Sequence, residues 1–280
     1  MSTTSIPDQV ARFAKAKETN NTRVLNIDQY FDGSKLKGMN VLITGGNRGL
    51  GFNLATLCVQ NGANAFVTCR RSNADIETLV GKSNIFDGVD VTDDVAIRAT
   101  GKKIAESGTL IDIVINNAGY FYEPEEKVSD DSLNFEEQIK QINICGLGPL
   151  RVNNALINEN ALAPNARLII ITSQAGSVEW RAVQNKDEGG DYGHHMSRAC
   201  CNMAAILLSE EVKKKGYSVH LLHPGFNRTT MTAKYSHIWD IEGAVEPIVG
   251  AKRVLYEVSK ASMETTGKFI NCEDGLVIPW

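Results

Sequence analysis

The chain has 280 residues, 42% of them hydrophobic, and a formal net charge of −4. That is enough apolar material for one large α/β core, and the acidic balance argues against a nucleic-acid binder. No apolar run approaches the roughly 18 residues that a membrane span needs, and residues 1–9 are polar, without the apolar centre of a secretory signal.

Residues 1–23 carry Ser, Thr, Lys and Arg, as an organelle transit peptide does, but Asp8 and Glu18 weigh against that reading. Six cysteines occur (Cys58, Cys69, Cys145, Cys200, Cys201 and Cys272) and none forms a Cys-x-x-Cys pair. They read as free thiols in a reducing compartment, so a cytoplasmic protein is expected. The two Asn-x-Thr sequons, at Asn20 and Asn227, mean little without secretion. Residues 1–38 form an extension ahead of the first strand. Val10, Phe13 and Ala14 would make one apolar stripe of a short helix, belonging either to a loose tail or to a strap over the core or a partner subunit.

The stretch 41–51 reads Val-Leu-Ile-Thr-Gly-Gly-Asn-Arg-Gly-Leu-Gly, with Phe52, Leu54, Ala55, Leu57 and Cys58 at helical spacing behind it. That is strand, tight turn and helix start. Glycines let the backbone bend and approach a ligand. The helix N-terminus aims free N–H groups and a positive dipole at the turn, which suits a phosphate. The spacing Thr-Gly-x-x-x-Gly-x-Gly resembles the nucleotide loop of the short-chain dehydrogenase/reductase family. The resemblance implies cofactor contacts from Thr44, Gly45, Asn47, Arg48, Gly49, Leu50 and Gly51.

Residues 65–68 read as a second strand, whose end meets an adenosine ribose in dinucleotide folds. Cys69 stands where NAD users of the family place Asp, and Arg70 and Arg71 follow, with Arg48 near. Planar cations suit a 2′-phosphate and a carboxylate would repel it, so NADP(H) is expected over NAD(H). Asp90 and Val91 follow a third strand. The family has a carboxylate there against the adenine amino group, and Asp90 also reads as an N-cap for a helix beginning near Asp93. A fourth strand, 111–116, is apolar on both faces, as in a buried parallel sheet. It runs into Asn117, Ala118 and Gly119, a family hallmark that ties strands together and lets the cofactor ribose pass. A helix over 132–150 carries Asn143 in an Asn-x-x-Gly pattern. In the family this Asn supports a water leading to the active site.

Residues 167–173 form a fifth strand ending in Ser173, the match for the serine that orients substrate. The reactive helix of the family carries Tyr-x-x-x-Lys, one turn apart on one face. Here the chain reads Asp-Tyr-Gly-His-His-Met-Ser-Arg-Ala over 191–199. Arg198 takes the Lys position and His194 the Tyr position. Tyr192 would lie roughly 120° off that face. Three readings stay open: His194 replaces Tyr as proton donor, favouring mildly acidic pH; Tyr192 reaches in from an unwound start; or the pair is lost and the domain binds NADP with little redox activity. Residues 180–191 read as an insertion like that of monomeric carbonyl reductases, so a monomer is preferred over a homo-oligomer.

A sixth strand, 218–222, leads to Pro224, Gly225, Asn227 and Thr229, matching the Pro-Gly-x-x-x-Thr that faces the nicotinamide carboxamide. His220 and His223 fall on opposite faces of that strand and no ligand cluster joins them, so no metal is assigned. Residues 230–246 read as a lid whose Met231, Tyr235, Ile238 and Trp239 suit an apolar or aromatic ligand. Together these motifs imply residues 39–280 as one Rossmann-type α/β domain: a doubly wound, mostly parallel seven-stranded sheet with helices on both faces. The implied activity is NADP(H)-dependent interconversion of a small-molecule carbonyl and alcohol. The alternative is a family member whose redox chemistry is lost or altered.

Overall fold

Short β-branched runs, apolar on both faces, build the centre of the molecule. In the computed structural model, which describes residues 3–280, strand β1 (Asn40–Thr44) buries Val41, Leu42 and Ile43 almost completely. Leu42 joins one core and Val41 and Ile43 the other, as the two-residue period of a strand dictates. Six more strands follow: β2 (Asn64–Cys69), β3 (Ile85–Asp87), β4 (Ile111–Asn116), β5 (Leu162–Ile171), β6 (Ser218–His223) and β7 (Phe269–Asn271). They form one sheet in the order β3-β2-β1-β4-β5-β6-β7, and every pairing between neighbours is parallel.

The helices are α1 (Gln9–Glu18), α2 (Thr22–Leu25), α3 (Gly49–Gln60), α4 (Ala74–Val80), α5 (Asp94–Glu106) and α6 (Phe135–Gln141). The second half adds α7 (Gly148–Asn158), α8 (Val178–Gln184), α9 (Tyr192–Val212), α10 (Trp239–Glu242) and α11 (Pro247–Lys260). Leu54 of α3 and Val254 of α11 pack on one face of the sheet. Ile104 of α5, Val152 of α7 and Ala205 of α9 pack on the other. The expected doubly wound fold is therefore the observed one. The strand order reverses between β1 and β4, and sheets of this kind take their ligands at such a point, outside the carboxyl ends of the strands. Among the described residues no helix is long and apolar enough to cross a membrane.

Four local expectations need correction. The helix expected over 132–150 is broken: α6 gives way to a π-helical turn, Ile142–Leu147, before α7 begins with Pro149 near its start. Gly146 sits in that turn, where a Cβ would stand 2.8 Å from the Cys200 sulfur of α9. The wide turn thus lets two helices approach, and such turns are frequent at functional sites. Trp180, expected inside an inserted loop, is a core residue of α8 at 3% exposure, and only residues 185–191 are irregular. β5 begins at Leu162, five residues before the expected start, because Ile111 of β4 pairs with Leu162 ahead of a register shift.

The fourth correction concerns residues 3–38. They form a strap over the chain's own core. Ser5 donates its N–H to the Val277 carbonyl, and Ala16, Val24, Ile27 and Leu36 are buried. The expected stripe is not the buried face of α1: Val10 is 44% exposed and Ala14 is exposed, while Arg12 and Ala16 point inward. A buried acid, described below, makes the arginine face the inner one.

Candidate active site

The glycine turn is built as its spacing requires. Gly45 and Gly49 have φ of +65° and +54°, values that L side chains rarely adopt. At Gly51 a Cβ would stand 2.4 Å from the Gly45 carbonyl oxygen and 2.5 Å from the Asn117 amide nitrogen. No side chain caps α3: Arg48 is the N-cap in extended conformation, and its guanidinium makes no bond to the helix start. The start of α3 thus has no side-chain cap for its first N–H groups. Thr44 and Asn117 act as clamps. The Thr44 hydroxyl accepts the N–H groups of Asn117 and Ala118, both at 3.0 Å. The Asn117 side chain donates to the carbonyls of Thr44 and Gly45. Asn47 likewise donates to the Arg71 carbonyl at 2.9 Å, joining the turn to the end of β2. Leu50 packs against the core on the α3 side.

At the β2 end, Arg48, Arg70 and Arg71 are all exposed and lie around the same turn. Arg70 reaches Asp90 at 3.9 Å. Asp90 is not the expected N-cap; Asp93 caps α5 by accepting the N–H groups of Val95 and Ala96. Asp90 instead accepts both the N–H and the hydroxyl of Thr92. Val91 is buried against Gly148. A residue that the sequence reading passed over also stands here. Asp87 accepts the Ser72 N–H at 2.7 Å and lies 3.7 Å from the Cys69 thiol. Burial, then the Asp87 charge, pushes that thiol up to about 11.

The helix α9 carries His194 and Arg198 one turn apart, with Arg198 at the end of β5. Arg198 is 8% exposed, and its Nη1 donates to the Ile171 carbonyl at the end of β5. Its other Nη would stand 3.3 Å from a Cβ at Gly119, so the small residue makes room for the guanidinium. Its Nε has no protein partner. His194 stacks edge-on against Phe121, with ring centres 4.9 Å apart, and its Nδ1 is buried without a partner. Burial, then the Arg198 charge, holds this imidazole well below its usual 6.5. Tyr192 does not share the face: its hydroxyl lies against Gly189 in the preceding loop, 3.7 Å from where a Cβ would be. β5 stops at Ile171, two residues before the expected end; Ser173 instead caps the 3-10 turn Gln174–Gly176, its hydroxyl accepting the Ala175 N–H at 3.1 Å. α9 packs directly on that turn, since a Cβ at Gly176 would stand 2.8 Å from the Arg198 carbonyl. The Asn143 Oδ1 and carbonyl both accept from Arg151.

Residues 39–238 match the family model described as short chain dehydrogenase. The chain belongs to the short-chain dehydrogenase family. It is 28% identical over 245 residues to 1-hydroxy-2-glutathionyl-2-methyl-3-butene dehydrogenase of Rhodococcus sp. (strain AD45), an alignment covering 86% of this chain and 99% of that one. Among solved structures it is similar to the NADPH-bound carbonyl reductase from chicken fatty liver, with a TM-score of 0.74 and 25% identity over 87% of this chain and 100% of that chain. The carbonyl reductase Sniffer of D. melanogaster shares the fold, with a TM-score of 0.71 and 22% identity, covering 87% of this chain and all of that one.

In this short-chain dehydrogenase the sixth strand delivers the other wall of the site. Gly225, at φ +82°, follows Pro224. Asn227 is buried, and its amide donates to the Gly225 carbonyl at 3.0 Å, so it holds the turn. Thr229 lies closest to Gly49: a Cβ there would be 3.9 Å from its methyl group. Thr229 therefore sits over the start of α3. Thr229 also caps a 3-10 helix, Thr230–Ile238, with Thr232 completing the box. Aromatic rings follow. Tyr235 lies 6.2 Å from Phe121 and 6.5 Å from Phe226, and Lys234 stands over the rings of Phe121 and Tyr235. Met231 is 40% exposed, whereas Ile238 and Trp239 are only partly exposed.

Two acids that matter were invisible in the local pattern. Glu126, at 2% exposure, accepts the N–H of Gly193 at the start of α9, as well as Asn134 and Gln138. Glu273, at 3%, lies under the Pro-Gly turn, where a Cβ at Gly225 would meet its Cγ at 2.6 Å. Both act on segments distant in sequence. His220 and His223 are buried in β6, and among the described residues no group of three or more His, Cys, Asp or Glu could hold a metal.

Proposed function

We propose that the protein is an NADP(H)-dependent oxidoreductase that interconverts a small-molecule carbonyl and alcohol. The observation that carries this reading is the buried Arg198 guanidinium beside Gly119, with His194 one turn earlier, at the strand ends next to an uncapped helix start. The donor set fits a nicotinamide dinucleotide. The open N–H groups of α3 would hold its diphosphate. Arg48, Arg70 and Arg71 would hold the 2′-phosphate, Asp90 and Val91 the adenine, and Arg198 the nicotinamide ribose. Ala118 and Gly119 leave room for that ribose, and Pro224, Gly225 and Thr229 would face the carboxamide. NADPH in the similar chicken reductase supports the same assignment. When bound, the nicotinamide supplies or accepts the hydride.

The chain's own residues do the rest. Ser173 holds the substrate oxygen, and His194 gives or takes the accompanying proton. The rings of Phe121, Phe226 and Tyr235 favour an apolar or aromatic substrate. NADPH binding followed by fluorescence, with oxidation assayed across a carbonyl panel, is expected to show both binding and turnover. Binding without turnover across the whole panel would favour a member with lost redox activity.

The arginines make a separate prediction. A double variant, Arg70→Ala with Arg71→Ala, removes charge-assisted bonds worth about 1.5–3 kcal/mol each. KM for NADP(H) should rise by roughly a hundredfold or more while KM for NAD(H) changes little. A wild-type preference for NAD(H) would overturn the assignment.

A cytoplasmic location is read from the six cysteines, all free. A monomer is read from the loop at 185–191, although Phe135, Ile139, Met203 and Leu207 are each more than 60% exposed on α6 and α9. Sedimentation as a single chain would support that reading, and a dimer or tetramer would remove it.

A further inference from the structure

Helix α1 lies outside the residues that match the family model, yet it touches three parts of the candidate site. Its inner face is Arg12, at 4% exposure. The Arg12 Nη2 lies 3.0 Å from the Glu273 carboxylate, and its Nε donates to the same oxygen at 3.1 Å. The other Glu273 oxygen accepts the N–H of Phe226 at 3.4 Å and lies 3.7 Å from Arg253. One buried carboxylate thus ties the extension to the turn that contains Gly225. Arg12 Nη2 also donates to the Gln174 side chain at 3.1 Å, next to Ser173. Gln9 donates to both Glu273 oxygens and to the Glu242 carbonyl at the end of the lid. The Phe13 ring sits against Gly243, where a Cβ would be 2.5 Å from the ring; Gly243 also has φ +71°. No larger residue at that position would admit the ring.

We propose that Arg12 and Phe13 of α1 are positioning residues for the substrate end of the site, fixing the Pro224–Phe226 turn and the far end of the lid. The inference rests on the redox reading above for what the site does, but the contacts themselves stand apart from it. The adenosine end, built from residues 45–51 and 68–73, makes none of these bonds. Held by Arg12, Gln9 and the Phe226 N–H together, the Glu273 carboxylate keeps these segments in one arrangement. Loss of the Arg12 fork leaves Glu273 without its closest cation and frees the turn it holds.

The test uses the full chain with Arg12→Met, Arg12→Lys and Phe13→Ala, each checked for folding by circular dichroism. Two readouts separate this inference from the redox reading. The first is amide hydrogen exchange. Residues 226–246 should exchange about tenfold faster in Arg12→Met and Phe13→Ala, residues 45–51 and 68–73 should exchange as in the wild type, and Arg12→Lys should recover most of the protection. The second is kinetic. KM for the carbonyl substrate should rise several-fold in Phe13→Ala and more in Arg12→Met, while binding of adenosine 2′,5′-bisphosphate stays unchanged. A role in general stability alone would lower the active fraction without moving KM. Wild-type exchange and KM in folded Arg12→Met and Phe13→Ala would overturn the proposal. If Arg12→Met does not fold, Phe13→Ala and Arg12→Lys decide the matter by the same readouts. A wild-type protein inactive on every carbonyl would sink the redox reading and leave the exchange result to judge this one.

Discussion

Replacing His194 by glutamine is expected to lower carbonyl–alcohol turnover by about 10²–10⁴-fold, the usual contribution of a positioned proton donor or acceptor, with cofactor binding retained. Tyr192→Phe is expected to leave turnover near the wild type, because the Tyr192 hydroxyl lies against Gly189 and not on the Arg198 face. The pH profile carries a second signature. His194 has a folded pKa well below 6.5, through burial first and the Arg198 charge second. At pH 7 the imidazole is therefore neutral, ready to take a proton from an alcohol. Alcohol oxidation should be flat around neutrality and fall at a pH well under 6.5, where the ring becomes charged. Carbonyl reduction should rise over the same acidic range. The reference pKa alone placed that limb near pH 6.5; the surroundings of His194 move it down. In His194→Gln the limb should vanish from kcat/KM in both directions. Full turnover in both His194→Gln and Tyr192→Phe would remove each from the proton path.

The architecture was legible wherever the signal is local. Val41 to Ile43 and Ile113 to Ile115 announce strands buried on both faces, and the glycines at 45, 49 and 51 announce the turn between β1 and α3. The reading that sets Arg198 on the Lys position rests on the Ser-Arg-Ala that ends its motif. What escaped the sequence depends on partners far away in the chain. Nothing local marks Arg12 as buried, because Glu273, 261 residues later, is its partner. Glu126 gave no sign of bonding to Gly193, 67 residues on. Asp90 looked like a helix cap, yet Asp93 won that place because its carboxylate reaches the N–H groups of Val95 and Ala96. The π-helical turn at Ile142–Leu147 arises from packing against α9, and no residue-by-residue propensity encodes it.

Acidification from pH 7 towards 2 is expected to remove a large part of the folding free energy, in two stages with different causes. His220 and His223 are buried in β6, and burial is the largest influence holding both at about 4. Arg167 adds to the effect at His220; around His223, the charges of Arg12, Arg198 and Arg253 oppose the pull of Glu273. In the unfolded chain these rings take protons near pH 6.5, so the unfolded state binds more protons between 6.5 and 4. Stability must then fall with pH across that window, by about 1.4 kcal/mol per pH unit for each ring. Over the whole window that is roughly 3 kcal/mol per ring, against a total of about 5–15 kcal/mol for an ordinary domain. The second stage belongs to Glu273. Burial raises its pKa, but Arg12, Arg253 and His223 outweigh this and bring it to about 2. Its contribution is complete above pH 4.5 and is lost as pH falls from there towards 2. Urea unfolding at half-unit pH steps measures both stages. His223→Gln and His220→Gln should each flatten the slope between pH 6.5 and 4; His220→Gln should leave the slope below pH 4 in place, whereas His223→Gln, which removes one of the charges facing Glu273, should make that slope shallower too. Stability that stays constant down to pH 4.5 in the wild type would mean that the two imidazoles take up protons in the folded state as readily as in water.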